Sequence, residues 1–139
     1  MQFIVKGRPQ GKKRPRFSRV SHTVYTPSET INYETQIALA FKAGGGGCIP
    51  AGQCVSVSVT AFFPVPQSYS KGKRKACIDG DIRPDKKPDI DNVLKVVLDA
   101  LNGLAYDDDK QVIEAICRKY YTDGEGYLWI VVKSVGDKP

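Results

Sequence analysis

The chain holds a single histidine, His22, set among arginines, and that scarcity removes several kinds of chemistry. Nuclease mechanisms built on paired histidines are excluded, and a Ser-His-Asp triad is disfavoured for the same reason. The four cysteines (Cys48, Cys54, Cys77 and Cys117) include no CxxC pair. With one histidine, that argues against a zinc site. Free thiols in a reducing cytoplasm are expected, although an even count leaves bridging open. No apolar run approaches the roughly 20 residues that a membrane-spanning helix needs. The opening MQFIVKGRPQGKK is not expected to be a signal peptide, because its apolar stretch is short and its charges follow it. Acidic residues are missing altogether before Glu29, while seven cations precede it.

What is present points to a nucleic-acid partner. The 139 residues suffice for one domain with its own core, and 41% hydrophobic with 26% charged residues is ordinary globular composition. The formal net charge is +6. A basic protein seeks an acidic partner, either nucleic acid or an anionic membrane surface. Yet nine of the fifteen acidic residues fall between Asp79 and Asp109. Carboxylates packed together repel one another unless a cation neutralises them.

Periodicity gives the expected elements. Residues 2–5 form a short strand, followed by a basic loop kept irregular by proline and glycine; together these are the N-terminal segment 1–20. Its cations Arg8, Lys12, Lys13, Arg14, Arg16 and Arg19 suit a phosphate backbone, with no nearby acid to balance them. Thr26-Pro27-Ser28-Glu29 predicts a helix start, with Thr26 as cap and Glu29 reaching back. Tyr33, Ile37 and Phe41 would face the core, and the run of glycines from Gly44 stops the helix. Val55, Val57, Val59, Ala61 and Phe63 alternate with polar residues, which predicts a strand apolar on one face. Residues 64–88 are expected to be a basic, flexible linker. Its Lys71, Lys73, Arg74 and Lys75 are further phosphate candidates, in a short helix or a loop, and Tyr69 could stack on a base or simply pack. Residues 91–101 form a helix with Val93, Val96, Val97, Ala100 and Leu101 inward, ended by Asn102-Gly103. Residues 112–121 carry apolar groups on both faces, which predicts a central strand. A turn at 122–126 leads to the last strand, 127–133, and a disordered tail, 134–139. The sum is a single α+β domain with a mixed four-stranded sheet packed with two main helices.

The chemistry centres on KPDIDNVLKVVLDALNGLAYDDDKQ, residues 87–111. Phosphodiester hydrolysis needs an activated hydroxide and neutralisation of charge on the phosphate and leaving oxygen, which divalent ions supply. Mg²⁺ takes oxygen ligands from a few carboxylates, water and substrate. Asp89 and Asp91 project to the same side of an extended segment. A helix-plus-loop excursion could then return Asp107, Asp108 and Asp109 to the same end. Lys95, one turn after Asp91, could stabilise charge on the phosphate or form a salt bridge to Asp91 or Asp99. Asn92 could position a metal-bound water or the phosphate. Simpler roles compete: Asp89 or Asp91 could cap the helix, and 107–109 could be an ordinary turn.

These residues resemble the signature of the RusA-type Holliday-junction resolvases. The pattern is Asp-x-Asp-Asn, a lysine three residues later, an Asp-Ala-Leu helix end, then Asp-Asp-x-Gln. GRPQGKKRPRF, TPSET and the basic stretch after PVPQSYS are similar to that family too. The resemblance implies a homodimeric endodeoxyribonuclease, dependent on Mg²⁺ with Mn²⁺ as a substitute, that makes paired symmetrical nicks in four-way DNA. It implies Asp89, Asp91 and Asp109 as metal-holding catalytic aspartates, Lys95 as the catalytic lysine, Asn92 as the motif asparagine and Asp108 as a further candidate ligand. Asp107 falls outside the pattern. A bacterial cytoplasm with a phage or prophage origin, no nucleotide cofactor and no membrane partner would follow. Two alternatives stay open: a non-catalytic branched-DNA-binding module with a structural metal, and a nuclease for flaps or other branches.

Overall fold

The alternating residues Val55, Val57, Val59, Ala61 and Phe63 are all buried, as expected, in the strand β4 (Val55–Pro64) of the computed structural model, which describes residues 1–136. Its other face is only partly covered: Ser58 and Phe62 are half-buried, and Trp129 beside Thr60 is 42% exposed. Ser56 and Thr60 are buried as well, because β4 has a neighbour on each side. Ser56 meets the cost of burial by donating its hydroxyl hydrogen to Glu114 Oε1 at 2.8 Å.

Four strands form the main sheet: β1 (Gln2–Lys6), β4, β5 (Val112–Thr122) and β6 (Tyr127–Ser134), in the order β1-β6-β4-β5. β4 and β5 run parallel and the other pairs antiparallel, so the sheet is mixed. The expectation of a central strand at 112–121 is therefore corrected: β5 is an edge strand, with Ile113 and Ile116 exposed. Apolar residues on both faces report composition, and here only part of one face is covered. β4 takes the interior place instead.

The parallel pair needs a crossover, and it runs through α2 (Lys71–Ile78) and α3 (Ile90–Leu101). Val93, Val96, Val97 and Leu101 of α3 are fully buried, and Ala100 is partly so. α3 packs against α1 (Ser28–Ala43), which buries Tyr33, Ile37 and Phe41 at the predicted spacing. The predicted cap of α1 is not made. Pro27 is the N-cap, with no side-chain hydrogen bond, and its carbonyl accepts from Thr30 and Ile31. The helix starts one residue later than expected, out of register with a Thr26–Glu29 capping box.

The 64–88 segment is more ordered than a flexible linker. Ser70 caps α2, Cys77 is buried, and Arg83 Nε donates to the Lys119 carbonyl at 2.7 Å. Basic 1–20 is also more regular than expected, because β2 (Arg16–Ser18) and β3 (Thr23–Tyr25) form a small antiparallel ribbon outside the main sheet. At the other end, Ser134 completes β6 and Val135 N–H donates to the Cys54 carbonyl, so the expected tail begins later. Residues 137–139 of that tail lie outside the described residues. All four cysteines are free, and burial pushes the Cys117 thiol up to about 11.

Candidate active site

Asp89 is the N-cap residue of α3, with extended backbone (φ −69°, ψ 152°), yet its carboxylate makes no capping hydrogen bond. Neither the Asp89 carboxylate nor that of Asp91, in the first turn, has a hydrogen bond or ion pair among the described residues. The capping role is thus not taken, and both sets of oxygens face solvent. The segment leading to them is held by β5. Lys119 Nζ donates to the carbonyls of Lys86 and Pro88, the latter at 2.9 Å. Nothing in the sequence singled out Lys119 for this.

The N-terminal arm crosses the mouth of α3. Lys12 N–H donates to the Asn92 carbonyl at 2.8 Å, and Gly11 lies directly against Pro88 and Asn92. Residues 12–15 thereby separate two clefts. One, of about 490 Å³, has Asp89 and Asn92 on one wall and Lys13, Arg14 and Arg16 on the other. The second, of about 360 Å³, lies between the arm and Asn92, Lys95 and Asp99. A Cβ on Gly11 would stand 2.8 Å from Pro88 Cβ and 3.0 Å from Asn92 Cβ. Gly11→Ala is therefore expected to cost about 1–2 kcal/mol of stability by overpacking. Chemical denaturation checks it, and an unchanged midpoint would mean that the arm is not seated on α3.

The arm's charge is partly balanced, contrary to expectation, by acids distant in sequence. Lys12 is only 18% exposed, with Nζ 3.3 Å from Glu34 and 3.2 Å from Asp99. Burial alone would lower its pKa; hydrogen bonding to Asp99 and the charges of Glu34 and Asp99 overcome this and raise it. Lys12 is thus a strut between the arm, α1 and α3 rather than a free phosphate contact. Lys13 pairs loosely with Glu29 at 3.8 Å. Arg8 lies over the Phe63 ring. Arg14, Arg16 and Arg19 have no ion pair among the described residues. In α2, Lys75 pairs with Asp79 and Arg74 with Asp123, while Lys71 is unpaired among the described residues. Lys73 sits 3.9 Å over the Tyr69 ring, and Tyr69 packs against the core rather than standing free.

The second acidic stretch divides into distinct roles. Asp108 caps a short 3₁₀ turn, Asp109–Gln111: its Oδ1 accepts from Lys110 N–H at 3.0 Å while its own N–H donates to Gln111 Oε1 at 2.9 Å. Gln111 is buried, and its amide donates to the carbonyls of Pro50 at 2.9 Å, Gln53 at 3.0 Å and, more weakly, Ile49. The Asp-x-x-Gln spacing is that of a capping box and was a legible signal for this clamp. Tyr106, fully buried, donates its hydroxyl hydrogen to the Leu98 carbonyl at 2.7 Å and fixes the loop before the turn.

Asp109 has a raised pKa. The hydrogen bond with Asp108 contributes most, then burial and the charges of Asp108 and Asp99, while Lys95 opposes the rise. Asp109 therefore lies within electrostatic reach of Lys95 and Asp99, whose side chains are 3.7 Å apart. The expected return of the acidic turn to the Asp89 end is corrected here. β5 runs back along α3, so its later residue Lys119 meets Pro88 at the start of the helix, and the turn before Val112 lies toward the helix's far end. At ~1.5 Å per residue, Asp89 and Asp99 are ~15 Å apart along the axis. Among the described residues, no group of three or more His, Cys, Asp or Glu side chains is close enough to hold a metal ion. The donor chemistry of the Asp89–Asp91 pair still fits Mg²⁺, which is commonly held by one or two carboxylates plus water and substrate phosphate.

Fold and site define an α+β domain that presents uncommitted carboxylates beside a basic cleft, the arrangement of a protein that handles nucleic acid. Residues 6–132 match the family model of Endodeoxyribonuclease RusA. The chain belongs to that endodeoxyribonuclease family. It is also 35% identical over 139 residues to a protein of Bacillus subtilis (strain 168), "Uncharacterized protein YqaN", with 97% of this chain and 96% of the relative covered. Among the described residues, no helix is long and apolar enough to cross a membrane.

Proposed function

We propose that this nuclease resolves four-way DNA junctions by paired symmetrical nicks, with Mg²⁺ as cofactor and Mn²⁺ able to replace it. The observation that carries the proposal is the Asp89 carboxylate, which makes no capping hydrogen bond and faces Arg14 and Arg16, unpaired among the described residues, across a cleft, with Asp91 exposed two residues further on. Asp89 and Asp91 would hold the ion. When bound, it would supply an activated water and neutralise charge on the scissile phosphate. Arg14 and Arg16 grip flanking phosphates, and Asn92, which lines both clefts, orients the phosphate between them. Lys95, 63% exposed, stabilises charge developing in the transition state. Asp109 acts from the Lys95 end of α3, where with Asp99 it sets the position of that ammonium. A homodimer would give a two-fold substrate two related sites. A role in recombination and repair in a bacterial cytoplasm, from a phage or prophage source, suits such an activity.

Lys95→Ala is expected to lower the single-turnover rate about 100-fold while junction affinity stays within about threefold. Equal loss of both would remove the transition-state role. The reading as a whole is tested by offering the protein four-way junctions, flaps and linear duplex at one salt concentration with Mg²⁺. Preferred cleavage of the junction supports it. Preferred cleavage of flaps would make the protein a flap nuclease, and binding without cleavage would make it a non-catalytic module.

A further inference from the structure

The β2–β3 ribbon has no place in the main sheet, and its surface is unusual. Phe17 is 59% exposed, Val24 68% and Val20, at the tip, 94%. Phe17 pairs with Val24, so the two share one face of the ribbon, while Arg16 and Tyr25 share the other. The tip is internally braced. Ser21 N–H donates to Ser18 Oγ at 3.2 Å, the Ser21 and Thr23 hydroxyls meet at 2.6 Å, and His22 takes a left-handed φ of 55° with its ring near Phe17. Val20 is therefore held outward by a defined turn.

A single chain gains nothing from exposing these side chains, and such patches mark sites of interaction. Their surroundings select the partner. Arg14, Arg16 and Arg19 flank them without an ion pair among the described residues, so the patch is both apolar and cationic. Apolar wedges flanked by cations are the means by which proteins part base steps, and aromatic rings stack on the bases that are freed. Two such ribbons would repel each other, which argues against self-pairing. The ribbon also starts at the substrate cleft, since Arg16 lines the same wall that faces Asp89. At ~3.3 Å per residue its tip lies within ~13 Å of Arg16, a few base steps from a phosphate bound there.

We propose that the β2–β3 ribbon is a wedge for branched DNA: Val20 enters the open centre of the branch and Phe17 stacks on a base exposed there, while Arg14, Arg16 and Arg19 hold the adjoining phosphates. This rests on the junction-nuclease reading. The test is binding of the full chain, with metal chelated, to a four-way junction carrying 2-aminopurine at the crossover. The wild type raises the fluorescence of the probe. Phe17→Ala combined with Val20→Ala abolishes most of that rise and weakens binding about fivefold or more, whereas Phe17→Trp retains both. A wild type that cleaves junctions with Mg²⁺ but leaves the probe unchanged, or a double variant with the wild-type signal, overturns the wedge and spares the nuclease reading. A wild type that binds no junction overturns both. A double variant that becomes monomeric in sedimentation would make the ribbon a subunit contact and the wedge wrong.

Discussion

Asp91→Asn should reduce nicking of a four-way junction by a factor of about a thousand or more while junction affinity stays within a few-fold. The two halves of that expectation have different causes. The substitution keeps the shape of the side chain and removes the charge that would hold a divalent ion. Because the Asp91 carboxylate has no hydrogen bond or ion pair among the described residues, the substitution removes no side-chain contact of that kind. The only structural cost is weaker complementarity to the helix N-terminus, about 0.3–1 kcal/mol. In the proposed reading, binding would rest on the arginines of the arm, which the change does not touch. Nicking retained near the wild-type rate would place the chemistry elsewhere, and lost folding would show that Asp91 has a structural role not visible in its contacts.

Gln111→Ala should cost about 2–3 kcal/mol, a large fraction of the stability of a domain this size. The side chain is buried, gives its amide to the Pro50 and Gln53 carbonyls, and accepts from Asp108 N–H. Alanine leaves those groups without partners and unties the 3₁₀ turn from the loop before β4. The resemblance placed this glutamine inside a catalytic signature, and the structure gives it a clamping role. Chemical denaturation separates the two. A lowered midpoint, with activity falling as the turn loosens, is the expected result. An unchanged midpoint with lost turnover would make Gln111 part of the chemistry.

Much of the scaffold was legible because its signals are local. The buried stripe of α3, the alternation in β4 and the Tyr33–Ile37–Phe41 spacing follow from period alone, and the structure buries those residues. What was not legible depends on contacts between distant segments. Lys12 looked like a free cation until folding brought Glu34 and Asp99 to it. β5 looked central because both faces carry apolar groups, and only the strand order shows it at the edge. The 64–88 segment gained its anchors from β5, through Arg83 and Lys119. The acidic motif shows the same limit most clearly. Its residues are close in order, but a helix of twelve residues stands between Asp89 and the turn at Asp109, and the strand that follows runs back along it. Proximity in the motif therefore became two exposed carboxylates at the start of α3, Asp89 and Asp91, and a second, separate acidic turn near Lys95.

Cleavage of a synthetic four-way junction by the purified wild type, first with Mg²⁺ and then with excess chelator, puts the central claim to its shortest test. Nicks at symmetrical positions on opposed strands, lost on chelation and restored by added Mg²⁺ or Mn²⁺, are the predicted result. Cleavage that continues under chelation would contradict a role for the Asp89–Asp91 pair as the seat of a metal ion.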